Sequence, residues 1–347
     1  MKNDIRPIIF WEGFPACGLL LKQVLNEFPE TIVLATRPAV PFHDLENLLG
    51  HDVHWLDNAD DIWNLRGRYS DKNFVIHTGW NHAGWLRYDR YVKNKNDAKI
   101  VVVVDNSFKA NFRQFIGAFY FRLWLKKYFC AAFVPGREGQ RLLKYLGLSS
   151  HQIYVGNYGA YEGIYRDTRP IVERNNEFLF VGQLNRRKSV DVLVNGFRRY
   201  REQGGTWNLR VLGDGPLRDM CNEDGLIFEG FTQPHLVADK MNNAKVLVLI
   251  SREDHWGTVV CEAAACGMHL ITSQSVGSSI DFIRNAINGI ELPKIEQESL
   301  IEAFNFYDGM TDLMLKNGSD VSKGIARGYD SYAYYSAINK MINDLMD

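Results

Sequence analysis

The chain has 347 residues, 46% of them hydrophobic and 23% charged, with a formal net charge of −1. That length exceeds one ordinary hydrophobic core and predicts two domains. The near-neutral charge gives no global case for nucleic acid as a partner, and the composition is that of an ordinary globular protein. Five cysteines, at 17, 130, 221, 261 and 266, are odd in number and include no CxxC pair. Free thiols in a reducing cytoplasm fit them better than a disulfide framework or a zinc site. The opening MKNDIRPIIFWEGF holds too short an apolar stretch for a signal peptide, and no run approaches the ~20 residues of a membrane span. A cytoplasmic protein is expected.

In chain order, the β-rich runs 7–11, 31–36, 73–78, 99–104, 131–135 and 153–156 predict a first group of strands. Helix-length segments at 18–28 and 137–147 lie between them. Continuous runs such as IVVVV read as strands buried on both faces, the pattern of a parallel sheet covered by helices. A polar stretch, 165–177, follows. The alternation then restarts with strands at 177–182, 209–213, 226–230, 245–251 and 269–273, and helices at 190–203 and 235–244. The class is α/β, as two doubly wound domains joined near residue 170. The expected divisions are 1–165, 170–320 and a C-terminal helix, 321–347, that packs back across the domains.

Residues 251–267, SREDHWGTVVCEAAACG, place two acids, Asp254 and Glu262, on either side of a strand-to-helix turn. Ligands of open α/β sheets sit outside the carboxyl ends of the strands. Trp256, Gly257, Thr258 and Val259 would offer unpaired amides at the positive end of a helix, which suits a diphosphate. Gly257 permits close backbone approach. Eight residues of helix rise span up to roughly 12 Å. One carboxylate could therefore accept ribose hydroxyls and the other sugar hydroxyls, with phosphates between. Taken singly, Asp254 reads equally as a loop cap and Glu262 as an exposed helix residue.

These residues resemble the E-x7-E segment of retaining glycosyltransferases of family 4, which have the GT-B fold. Here the pattern is Asp254-His-Trp-Gly257-x4-Glu262, with aspartate replacing the first glutamate and Glu253 beside it. Three further stretches resemble the family in order: 180–197, 211–220 and 273–292. The first carries Lys188 of the family's two-cation diphosphate clamp but has Gln183 at the arginine position, with Arg186 and Arg187 nearby. The second contains Gly213 and Gly215; the third keeps Gly277, with Ser278 for the second glycine and Asp281 where glutamate is common. The resemblance is specific over 178–292 and mostly architectural over 1–165.

The resemblance implies two Rossmann-like domains facing a central cleft, the C-terminal one binding a nucleotide-diphospho-sugar. It implies transfer with retention of configuration to a glycan or lipid-linked acceptor, as in polysaccharide or glycolipid assembly, with no metal or other cofactor. Asp254, Lys188 and Asp105 are then the expected catalytic residues. Glu262, Gly257, Thr258, Val259, Arg187, Gln183, Gly13, Gly213 and Gly215 are expected on the donor side. His77 ends a strand as the family's D-V-x-H does, and Asn157 stands where relatives carry N-G; both are expected on the acceptor side. Each has a plainer reading: Gly13 as a βα turn, His77 as a strand cap, Asp105 as a turn former. Segment 109–129 has five basic residues, no acid and many aromatics. It reads as a peripheral membrane contact or equally as a packed helix with basic ends, broken at Gly117. The rival functions are a nucleotide-sugar epimerase or hydrolase and a non-catalytic GT-B partner.

Overall fold

A computed structural model describes residues 4–38, 45–109 and 112–347. The chain divides into two compact units, one running up to Tyr158 and including Ser331–Asp347, the other spanning Gly159–Asp330. The first contains β1 (Pro7–Trp11), α1 (Lys22–Glu27), β2 (Ile32–Thr36), α2 (Leu45–Leu49), β3 (Val53–Leu56) and β4 (Phe74–Thr78). It continues with α3 (Ala83–Asn96), β5 (Lys99–Val103), α4 (Phe112–Tyr120), β6 (Ala131–Val134), α5 (Arg137–Tyr145) and β7 (Ile153–Val155). Among the described residues its sheet has seven parallel strands in the order β3-β2-β1-β4-β5-β6-β7. β1 is buried at every residue, as a strand covered on both faces must be.

The second unit repeats the plan. It contains β8 (Asn175–Val181), α6 (Val190–Glu202), β9 (Asn208–Leu212), β10 (Leu226–Gly230), α7 (Pro234–Met241) and β11 (Ala244–Leu249). After these come α8 (Thr258–Ala265), β12 (His269–Ser273), α9 (Ser279–Phe282), β13 (Gly289–Leu292), α10 (Gln297–Asp308) and α11 (Asp312–Ala326). The six parallel strands run β10-β9-β8-β11-β12-β13. In both sheets the order reverses beside the first strand, between β1 and β4 and between β8 and β11. Those reversals are the switch points where doubly wound sheets open a crevice for ligands.

Two strands, β3 and β13, were not expected from the sequence. Both are edge strands, pairing only β2 and β12 respectively. Each is four residues long with a half-exposed middle, so neither shows the continuous apolar run that marks the inner strands. The polar stretch 165–177 is no free linker. Arg174 is buried within it and donates to Asp167 Oδ1 at 2.8 Å, the Cys266 carbonyl at 2.7 Å and the Met241 carbonyl at 3.1 Å. Burial draws its pKa down while Asp167 opposes the shift.

Two helical expectations are corrected. Gly117 does not break its helix: α4 runs through it and then widens into a π turn, Phe121–Leu125. The C-terminal segment is not one helix but two. α11 belongs to the second unit, and α12 (Ser331–Met346) belongs to the first. There Tyr334 packs on Phe133 with ring centroids 5.4 Å apart, and Tyr154 donates its hydroxyl to Asp344 Oδ2 at 2.8 Å.

Candidate active site

At the switch point of the second unit the loops after β8, β9 and β11 meet. Leu184 N donates to the Asp214 carbonyl at 2.9 Å, and Gly182 N to the Leu212 carbonyl at 3.0 Å. Glycines make this approach feasible. Gly213 has φ +139°, and a side chain there would collide with the Gly182 carbonyl; a Cβ on Gly215, φ +154°, would stand 2.6 Å from the Leu184 carbonyl oxygen. A groove of about 620 Å³ opens beside this turn, lined by Asp214, Gly215, Pro216, Arg218 and Asp219.

The loop after β8 then turns through Asn185, whose Oδ1 accepts from Lys188 N at 3.0 Å. This cap aims Lys188 across the crevice, where its Nζ forms an ion pair with Asp254 Oδ2. Arg187 lies alongside: its Nη1 donates to the Glu253 carbonyl at 3.0 Å, and its Nη2 stands 3.5 Å from Gln183 Oε1. Gln183, Arg187, Lys188 and Asp254 therefore form one cluster. Arg186 instead offers its carbonyl to Arg252, which pairs with Asp191 at 2.9 Å.

Asp254 is itself held by backbone. Its N–H donates to the Ser275 carbonyl at 3.1 Å, and its carbonyl accepts from Gly277 N at 3.1 Å. Ser278 N reaches the Trp256 carbonyl at 2.9 Å, so residues 254–256 are zipped to 275–278. Gly257 follows with φ +78°, and a Cβ there would lie 2.8 Å from Val276 Cγ1. It is the cap of α8, whose start has no side-chain cap. The amides of Thr258 and Val259 are thus first-turn donors that a helix leaves without internal partners.

One turn further on, Glu262 is 9% exposed. Burial pushes its pKa up to about 7, and a hydrogen bond from the Tyr165 hydroxyl partly opposes the rise. Tyr165 was not expected from the sequence, since nothing local links it to a helix almost a hundred residues away. The raised pKa sets a sign. The folded protein holds this proton more tightly than the unfolded chain, so its stabilising contribution is complete below the ordinary 4.5 and lost as pH rises through about 7. A donor ribose giving hydrogen bonds to this carboxylate would favour its ionised form. At pH 7, nucleoside diphosphate binding should then release roughly half a proton more than in Glu262→Gln, read by calorimetry in buffers of different ionisation enthalpy. Glu262→Gln should also bind about 10- to 100-fold more weakly, as expected for a lost charge-assisted bond. Equal affinity and equal proton release would remove Glu262 from the site.

The first unit holds the remaining candidates. Gly13, φ +61°, follows β1 at the switch point, and its N–H donates to Thr36 Oγ1 at 2.7 Å. Across that crevice His82 Nε2 stands 3.2 Å from Glu12 Oε2, a pair the sequence did not single out. Asp105 follows β5 and acts on Tyr158, whose pKa is raised by burial and then by this carboxylate. His77 is fully buried, stacked on Trp85 at 5.0 Å with Nε2 3.1 Å from Asp89 Oδ2, so its neighbours are core groups. Asn157 is also fully buried, and neither side-chain amide atom has a hydrogen-bond partner.

Two doubly wound units, each with a parallel sheet whose strand order reverses at a switch point, are those of the GT-B fold class. Residues 163–307 match the family model of the glycosyl transferases group 1. The chain superimposes on Anabaena Alr3699/HepE in complex with UDP and glucose with a TM-score of 0.76 at 12% identity, covering 98% of this chain and 100% of that one. A glycosyltransferase from Rickettsia africae gives 0.75 at 11% identity, with 99% of both chains covered. In sequence, the uncharacterized glycosyltransferase MJ1607 of Methanocaldococcus jannaschii is 25% identical over 174 residues, 48% of this chain and 44% of that protein. An exopolysaccharide phosphotransferase of Streptomyces coelicolor, SCO2592, is 26% identical over 147 residues. The chain thus spans less than half the length of either curated relative, 44% and 16%.

Proposed function

We propose that the protein is a retaining glycosyltransferase of family 4 type that moves a sugar from a nucleotide-diphospho-sugar to a glycan or lipid-linked acceptor in the cytoplasm. The observation that carries the reading is the meeting of Lys188, Arg187 and Asp254 beside the uncapped start of α8. Lys188, Arg187 and the amides of Gly257–Val259 are the groups we assign to the departing diphosphate, in place of a metal. Glu262 holds the ribose, and Asp254 the hydroxyls of the transferred sugar. The first unit receives the acceptor, with Asp105, Asn157 and the Glu12–His82 pair as its polar groups. In the reaction the bond from the anomeric carbon to the diphosphate breaks. The acceptor hydroxyl bonds that carbon on the same face, and its proton passes to the leaving phosphate.

Incubation with a panel of labelled UDP- and GDP-sugars and a lipid extract tests the proposal. Transfer to an extractable product with the donor's anomeric configuration is the expected result. Free sugar or an epimer would reassign the protein as a hydrolase or epimerase. Binding without turnover of any donor would make it a non-catalytic partner.

A further inference from the structure

Helix α4 and its π turn are apolar on two faces. Ala118, Phe121 and Leu125 point inward and belong to the core of the first unit. On the outside, Phe112, Phe115, Ile116, Phe119, Leu123 and Trp124 are 49–77% exposed. Their spacing, i, i+3, i+4, i+7, i+11 and i+12, lines them up as one stripe along the helix. Soluble proteins rarely leave an apolar stripe of this length in water, and one that persists marks a protein or membrane contact.

The charges bordering the stripe identify the partner. From residue 106 to 137 the chain has six basic residues and no acid. Arg122 and Lys126 tether the segment to the first unit through the carbonyls of Tyr145, at 2.5 Å, and Gly147, at 2.6 Å. Arg90 and Lys127 flank the Tyr128 ring at 5.5 and 5.4 Å from its centre, and Lys93 Nζ donates to the Lys127 carbonyl at 3.2 Å. Arg113, Arg90 and Lys127 are exposed. A second copy docking here by two-fold symmetry would set this positive border against itself. An anionic lipid surface is complementary to it, and aromatic side chains are favoured at the head-group level. No described helix is long and apolar enough to cross a membrane, so α4 would lie in the plane of the interface.

We propose that the outer face of α4 and its π turn seats the protein on an anionic bilayer. Phe112, Phe115, Phe119 and Trp124 enter the acyl boundary, and Arg113, Arg90 and Lys127 meet head groups. The inference does not depend on the activity proposed above, because its test reads binding alone.

The test is co-sedimentation of the full chain with phosphatidylcholine vesicles, with and without phosphatidylglycerol, while light scattering follows the mass in solution. Pelleting is expected with phosphatidylglycerol. It should weaken at least tenfold with phosphatidylcholine alone, in high salt, and in the double variant Phe115→Ser, Phe119→Ser. The melting curve of that variant should match the wild type, since both side chains lie outside the core. Should it melt early, Leu123→Ser with Trp124→Ser serves in its place. Failure to pellet, or undiminished pelleting of the variants, overturns the proposal. A dimer that these substitutions dissociate would instead assign the face to a second copy.

Discussion

Lys188→Ala should lower kcat by roughly 10²- to 10³-fold while the melting temperature stays near that of the wild type, the range seen when one preorganised donor to a developing negative charge is removed. Asn185 Oδ1 accepts from the Lys188 backbone N–H, and Asp254 pairs with its ammonium across the crevice. Its partner changes the reading of the variant. Removing Lys188 also leaves Asp254 without its cation, so on the proposed assignment the loss combines a missing diphosphate contact with an unbalanced carboxylate. The Lys188→Ala, Asp254→Asn double variant should therefore be much less impaired than the sum of the two single losses. Activity of Lys188→Ala within twofold of wild type would count against the clamp. Arg187→Ala measures separately whether that guanidinium replaces the arginine absent at Gln183, and a loss of about tenfold is expected. If Arg187→Ala is silent, Lys188 acts without a second cation.

Asp254→Asn should reduce kcat by about 10²-fold or more, again as for a group met only by the reacting sugar, while nucleoside diphosphate affinity holds or rises. The sign comes from the ion pair. Asp254 pairs with the Lys188 ammonium, and neutralising the carboxylate would free that cation for the diphosphate. Glu253→Gln should be mild, because it is the Glu253 backbone carbonyl, held by Arg187, that faces the cluster. Steady-state kinetics and calorimetric titration with the nucleoside diphosphate decide the matter. A fall in affinity parallel to the fall in kcat would place Asp254 on the nucleotide. A strong Glu253→Gln phenotype with a mild Asp254→Asn one would shift the register by one residue.

The inner strands were legible because a strand buried on both faces must be written as a continuous apolar run, as KIVVV at 99–103 is. β3 and β13 were not, because an edge strand of four residues is half solvated and carries no such run. The helix through Gly117 persists because packing of Ala118, Phe121 and Leu125 outweighs a single glycine's cost of roughly 1 kcal/mol. The sequence spacing from Asp254 to Glu262 pointed to a strand-to-helix turn, but not to the burial that lifts the Glu262 pKa toward 7.

The sequence by itself determined the α/β class, the two-unit plan, and the run of glycines, cations and acids between 182 and 262. Those follow from local rules: which residues can form a buried strand, adopt a positive φ or open a helix. Only the tertiary structure decided which of these groups meet. Lys188 and Asp254 lie 66 positions apart, and they touch because β8 and β11 are neighbours where the strand order reverses. Tyr165 reaches Glu262, Arg174 closes on Asp167 and Cys266, and the last helix returns to the first unit for the same reason. Such pairings are set by the order of strands and the filling of the core, which no window of neighbouring residues contains. The two-faced character of α4 is of this kind as well. Its apolar residues could be read in the chain, but which face would be covered by the core and which left exposed depended on where the sheet lay.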